Sequence, residues 1–439
     1  MPRQIAPGRS CLECRRRKIK CDRSHPCSYC VKVRIQCKYP PRPGSNDEDP
    51  LRRVASLETK LLAVERRLAE IGDSSGMHRE THSHVNEPLK PPSADNPASI
   101  LSPQPPIDLN TIRPSRATIA LLWQHYLEAV DPLLKIFHTP TVQKLVMTAI
   151  HGREMLDSPS ECLLFAIYYG SVASMSPEGC ILQLETERRF LLKQFQTGVE
   201  HLLSRLSLLE AKDMTVLQAF AIYLITGRCD EQGPDVYALV GLAVGMALKM
   251  GLNKDGEAVG LSPFEVEMRR RLWWQLFILD IRVAEDRGSD PCILESSFNT
   301  RLPSNISDVN LHPMMAQTPV CGPGRTEMLF SLVRFEGSYF ARQMVFSDSF
   351  DEANSHTPLS TDQKGHAIDL FEERINKQYL SHLDDKVPLD NVTAQSFKIL
   401  VGKLRLTATD STRTYNCALD TANDRKAWFN DHWRLSGYI

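Results

Sequence analysis

Three features of the sequence predict a mainly α-helical protein with a small cysteine-rich head. Six cysteines fall between Cys11 and Cys37. A short apolar heptad begins at Val54. From about Thr111 apolar residues recur at helical spacing, with no alternating strand series. The chain has 439 residues, 42% of them apolar and 24% charged, which is ordinary for a globular protein with room for two or more folded units.

The net charge of -1 conceals an asymmetry. Residues 1–42 hold twelve Lys/Arg against Glu13 and Asp22, a charge of +10, and the remainder, with 40 basic and 51 acidic residues, carries -11. A basic arm on an acidic body points to a polyanion partner for the arm. "MPRQIAPGRS" lacks the apolar stretch of a secretory signal. No apolar run reaches the ~18 residues of a membrane span, so no membrane partner is expected. "YALVGLAVGMALKMG", the most apolar stretch, contains Lys249 and reads as a buried helix.

The cysteine spacing is Cys11-x2-Cys14-x6-Cys21-x5-Cys27-x2-Cys30-x6-Cys37, one pattern stated twice. A disulfide framework needs an oxidising compartment, which the N-terminus does not support. Iron–sulfur sites favour four-ligand spacings. Zinc accepts tetrahedral thiolate ligation and is not redox active, so zinc thiolate binding is the leading reading. Six thiolates satisfy two four-coordinate ions if two of them bridge. The bare cluster then carries -2 and leaves the arm at about +8.

These cysteines, with "RRRKIKCD" and the "HPC" before the second half, resemble the fungal binuclear zinc cluster family of transcription regulators. The resemblance implies two zinc ions, with Cys11 and Cys27 bridging, Cys14 and Cys21 completing one site, and Cys30 and Cys37 the other. It implies that Pro26 turns the chain between the halves. It also implies that Lys18 reads the guanines of a CGG-type triplet in the major groove. Arg15, Arg16, Arg17 and Lys20 are then expected at phosphates or neighbouring bases, on a short helix that projects "RRRKIK". A segment this short has little core, so metal binding supplies its folding free energy, on the order of 10–16 kcal/mol for structural zinc in small peptides. The competing reading of the basic run is an import signal or a solvated face.

After the cluster module (1–42) and a polar linker (43–53), "LRRVASLETKLLAVERRLAEIG" carries Val54, Leu57, Leu61, Val64, Leu68 and Ile71 at alternating spacings of 3 and 4. That is a coiled-coil seam over 54–71. Arg53 and Lys60 at g face Glu58 and Glu65 at e of a parallel partner, which favours a homodimer. The alternative is an amphipathic helix packed on its own chain. Residues 72–110, with seven prolines, read as a disordered tether, and His78, His82 and His84 within it as solvated.

Residues 111–345 are expected to form an all-α regulatory domain. "YLEAVDPLLKIFHTPT", "GLAVGMALKMGLN" and "EMRRRLWWQLFILD" resemble the fungal-specific transcription factor regulatory domain, although Asp290 stands where the family often has Arg. The clearest helix starts at Ser262, with Pro263 at N1 and Glu265 completing a capping box. It carries Leu272, Leu276, Leu279 and Val283 on one stripe and stops at Gly288. Arg269, Arg270 and Arg271 point apart on such a helix, so solvated or salt-bridged roles are expected. Cys162, Cys180, Cys229, Cys292, Cys321 and Cys417 lack ligand spacing and are expected in the core. Residues 346–439 read as a helical extension, shortened relative to the family, without an acidic–aromatic activation segment.

No catalytic motif is present, so no enzyme is expected. The leading expectation is a nuclear, zinc-dependent, sequence-specific regulator of RNA polymerase II transcription. It would bind paired CGG-like half-sites on double-stranded DNA as a homodimer and work with co-regulators. Relatives of this kind often control metabolic or secondary-metabolite gene clusters. The alternative is a zinc module that binds protein or RNA.

Overall fold

The computed structural model describes residues 11, 14, 20–22, 26–37, 107–152, 156–206, 208, 212–228, 236–319, 324–346, 348–357 and 359–409. The expected coiled-coil seam from Val54 to Ile71 lies outside these residues, as do His78, His82 and His84. The described residues form helices and no strands, and two compact units separate at Lys90. In the first unit one short helix is described, α1 (Ser28–Lys32).

The second unit is helical throughout. It runs through α2 (Leu109–Ile112), α3 (Arg116–Ala129), α4 (Asp131–Leu134), α5 (Thr139–His151), α6 (Ser158–Ser174), α7 (Pro177–Leu184), α8 (Arg188–Arg205) and α9 (Met214–Gly227). It continues through α10 (Val236–Lys249), α11 (Pro263–Arg287), α12 (Leu329–Val345), α13 (Asp348–Ala353), α14 (Thr361–Gln378) and α15 (Pro388–Thr409). None of the described helices is long and apolar enough to cross a membrane.

Local chemistry sets the helix ends. Asp157 caps α6 by accepting from Ser160 N at 3.1 Å, and Ser115 caps α3 by accepting from Thr118 N at 3.2 Å. At α11 the capping box forms: Glu265 N donates to Ser262 Oγ and Ser262 N donates to Glu265, both at 3.3 Å. Gly288, at φ 64°, ends α11 in the left-handed conformation that glycine adopts without strain.

The core is organised around α6, which packs against α3, α8 and α9. Every residue from Cys162 to Val172 is buried. Sequence periodicity suggests one apolar face for such helices, but α6 and α9 are enclosed on nearly all sides, because neighbours cover both faces. Beyond them α11 packs on α10 and α12, with Trp274 beside Phe335 and Tyr339 at ring-centroid distances of 6.0 and 5.9 Å. The helices α14 and α15 join the same core: Phe371 stacks on Phe340 of α12 at 4.1 Å. One apolar cluster thus runs from Ile119 to Ala408.

Two sequence expectations need correction. The apolar stretch at Tyr237 forms α10, but only half of it is buried. Tyr237, Ala238, Gly241, Gly245 and Leu248 face outward, because α9 and α11 cover one side only. Cys162 and Cys180 are core residues as expected, whereas Cys292 is exposed in the loop after α11. Cys229, Cys321 and Cys417 lie outside the described residues.

The three arginines of α11 diverge. Arg269 donates to Met250 O at 3.0 Å, and Arg270 grips both oxygens of Asp255 at 2.9 and 2.8 Å. Arg271 is fully buried and bonds Glu267 at 3.0 Å and Asp308 at 2.6 Å. Lys135 reaches Asp131 at 2.8 Å and Asp308 at 3.2 Å, which ties α4 to the loop after α11. Burial works against an ionised Asp308, but Arg271 and Lys135 outweigh it and hold its carboxyl well below the usual range.

Candidate metal centre

Within the N-terminal unit the cysteines gather into one knot. Cys11, Cys14, Cys27 and Cys30 are each 0% exposed, with Cys21, Cys37, Tyr29 and Ile35 packed against them. The sulfur pairs Cys11–Cys27, Cys11–Cys30 and Cys14–Cys27 stand 3.7, 3.7 and 3.6 Å apart. A disulfide would bring a pair to about 2 Å, and all six thiols are free. Four sulfurs around a tetrahedral zinc at ~2.3 Å stand about 3.8 Å apart. The observed spacing is therefore that of thiolates drawn around metal, and the donor set fits zinc.

Cys11 and Cys27 occupy the middle of the knot. Cys11 Sγ neighbours two cysteines of the second half, and Cys27 Sγ neighbours two of the first. Backbone donors support the sulfurs: Cys14 N points at Cys11 Sγ at 3.4 Å and Cys27 N at Cys37 Sγ at 3.3 Å. Burial and the neighbouring thiols push Cys14 and Cys30 upward. Burial acts the same way on Cys27, but hydrogen bonds from Cys30, Cys14 and Cys11 outweigh it and bring it down to about 6. Crowded thiols cannot all become thiolates without a cation among them, and a divalent ion supplies that charge.

Asp22, which sequence reasoning counted only as a charge, has a structural part. It follows Cys21 and accepts from the backbone N of Ser28 at 3.1 Å and from the Ser28 hydroxyl. Its carboxylate thus satisfies a free N–H of the first residue of α1, the helix that places Cys30 in the knot, and ties one half of the repeat to the other. Its signal in the sequence is an acid one residue past Cys21 and six before a serine. At the other end of α1, Arg34 N bonds Val31 O at 3.2 Å and Ile35 N bonds Cys30 O at 3.1 Å, a Schellman closure that seats Ile35 against the cysteines.

Of the expected DNA-contacting residues, Lys20 is described and is exposed. Arg15, Arg16, Arg17 and Lys18 lie outside the described residues. Pro26 is exposed at the turn between the halves.

Comparison with known proteins agrees with this geometry. Residues 9–46 match the fungal Zn(2)-Cys(6) binuclear cluster domain, a domain that binds two zinc ions. Residues 123–319 match the fungal specific transcription factor domain. The chain is 32% identical over 430 residues to the aurofusarin cluster transcription factor aurR2 of Gibberella zeae, covering 92% of this chain and 63% of that protein. It is 27% identical to the transcriptional regulator AacuB of Aspergillus aculeatus, over 92% of this chain and 66% of that one. Over 53% of this chain and 31% of the relative it is 36% identical to the pyriculol/pyriculariol biosynthesis cluster transcription factor 1 of Pyricularia oryzae. The chain thus spans about two thirds or less of the length of these relatives. With the cysteine knot and the helical body both accounted for, the chain belongs to the fungal binuclear zinc cluster transcription factors that carry a fungal-specific regulatory domain.

Proposed function

We propose that this chain is a nuclear, zinc-dependent, sequence-specific DNA-binding regulator of RNA polymerase II transcription that controls a biosynthetic gene cluster. The observation that carries the reading is the four-sulfur knot at metal-thiolate spacing, set in an arm of charge +10. In this reading all six cysteines hold two zinc ions, Cys11 and Cys27 bridge them, and the central positions of those two sulfurs support that assignment. Lys18 reads a CGG-like triplet, while Arg15, Arg16, Arg17 and Lys20 neutralise phosphates. The seam from Val54 to Ile71 pairs two chains on two half-sites. The helical body meets co-regulators and has no catalytic role. Two of the relatives are named for biosynthetic clusters, which supports the pathway class.

The test is selection from random duplexes by the zinc-loaded full chain, read by sequencing. Enrichment of two CGG-like triplets at fixed separation is expected, and Lys18→Ala should relax the triplet preference at unchanged zinc content. A zinc-loaded chain that enriches no duplex would move the assignment to a protein- or RNA-binding zinc module.

A further inference from the structure

The two halves of the cysteine knot are the same pattern used twice: each cysteine of the first half recurs sixteen residues later in the second. The same offset carries Lys18, the expected base-reading residue, onto Arg34, and carries Arg15 and Arg17 onto Val31 and Val33. So Arg34 and Lys32 are the cations left on the second half's counterpart of the "RRRKIK" run.

Arg34 sits in an unusual backbone state. It is the residue just past the end of α1, with φ 53°, in the Schellman closure that holds Ile35 against the cysteines. That position favours glycine, or asparagine after it, because a Cβ in the left-handed region crowds the following carbonyl. An arginine here strains the turn that closes the cluster. Strain of this kind persists where the surrounding structure holds it in place, and it clusters at functional sites. The Arg34 side chain does nothing visible for the fold: it is exposed, and no described carboxylate pairs with it. Val31 and Val33 on the same run are 58% and 41% exposed, and Lys32 between them is exposed too.

We infer that Arg34 is a further DNA contact, a guanidinium held out by a strained turn to neutralise a backbone phosphate on double-stranded DNA. The inference rests on the DNA-binding reading above. It adds to the first half of the cluster, which reads bases, a second half that fixes the module on the duplex. An exposed guanidinium on a face shared with Lys32 and two exposed valines suits a phosphate contact, which fixes a module on the duplex without a base edge to match.

The experiment compares the zinc-loaded full chain with Arg34→Gly, Arg34→Asn and Arg34→Lys. Binding is measured on a duplex with two CGG triplets and on a scrambled duplex, across a salt series. Zinc retention is measured against a chelator. Arg34→Gly and Arg34→Asn should hold zinc as well as or better than the parent, because the turn is relaxed. They should bind both duplexes about three- to tenfold more weakly, with a salt slope shallower by about 0.9, the signature of one lost phosphate contact. Arg34→Lys should keep most of the affinity. Unchanged affinity and slope in Arg34→Gly would overturn the inference while leaving the DNA reading intact. A loss confined to the CGG duplex would make Arg34 a base reader and also overturn it. Earlier loss of zinc in both Arg34→Gly and Arg34→Asn would assign the side chain to the fold instead. A parent chain that binds neither duplex would remove the DNA reading, and this inference with it.

Discussion

Among the described residues of the N-terminal unit the buried ones are Cys11, Cys14, Cys27 and Cys30, with Tyr29 and Ile35 leaning on them. In the C-terminal unit one apolar cluster extends from Ile119 to Ala408. Around the described cysteines there is little apolar side chain to remove from water, so the folding free energy of the cluster comes from metal–thiolate bonds. The second gains from burial at roughly 25 cal/mol per Å2 of apolar surface and from close packing, as at the α6–α9 contact. The same chain therefore contains a unit whose stability is a property of its cofactor and a unit whose stability is a property of its side chains. Treatments that separate the two should act on one and leave the other.

Metal loss has the largest expected effect. A strong chelator, or Cys27→Ala, should collapse the cluster outright, a loss on the order of 10 kcal/mol. The thermal transition of the helical body should stay within a degree or two. Zinc analysis alongside far-UV circular dichroism distinguishes the outcomes. Retention of one firmly bound zinc by Cys27→Ala would show that Cys27 serves a single ion.

The next effect belongs to the body. Arg271→Met removes the guanidinium that bridges Glu267 and Asp308 and leaves two buried carboxylates short of their partner. Breaking a buried pair from one side costs about 3–5 kcal/mol. Urea titration should show a lower midpoint for the body and unchanged zinc retention. A double change, Arg271→Met with Asp308→Asn, should recover part of the loss, since one uncompensated charge is then gone.

These two predictions differ in how far the sequence foresaw them. The cysteine grouping was legible because ligand spacing is local and six cysteines in one short segment leave few alternatives. The start and end of α11 were legible for the same reason: Ser262, Glu265 and Gly288 act on the backbone within a turn of themselves. The burial of Arg270 and Arg271 was not, because their partners Asp255 and Asp308 lie fifteen and thirty-seven residues away, and periodicity says nothing about which loop folds back. The same holds for Cys292 and the open face of α10, where exposure depends on what fails to pack there. Arg34 hid differently. Its position past α1 is visible only from the backbone angle, and composition counts it as one more cation. The heptad residues and Lys18 lie outside the described residues.

Acid should separate the units again, with a smaller effect on the body. Burial pushes the Asp255 carboxyl upward, but the Arg270 guanidinium and the Arg301 amide outweigh this and hold it at about 2, below its ordinary value near 4. The folded carboxyl is thus the stronger acid. As pH falls, the unfolded chain takes up the proton first and stability drops. The contribution is complete above about pH 5 and gone by about pH 2, and after discounting for solvent screening it is about 1–2 kcal/mol. Asp255→Asn should flatten this part of the pH–stability curve of the body. The cluster should release zinc over its own range, because protons compete with metal for thiolates, and Asp255→Asn should leave that range where it was.

The smallest expected effect tests the most legible feature. Ser262 accepts from Glu265 N, and Glu265 returns the bond to Ser262 N, so two donors at the start of α11 are satisfied by side chains at the protein surface. Ser262→Ala removes the acceptor, and water takes over part of its role, so the cost should be about 1 kcal/mol, against the 3–5 of Arg271→Met. Ser262→Thr should retain most of the stability, since the hydroxyl stays in reach. Equal losses for Ser262→Ala and Arg271→Met would mean that α11 is held by its end rather than by its buried ion pairs. The expected ratio places the stability of this helix in long-range contacts that local sequence does not reveal.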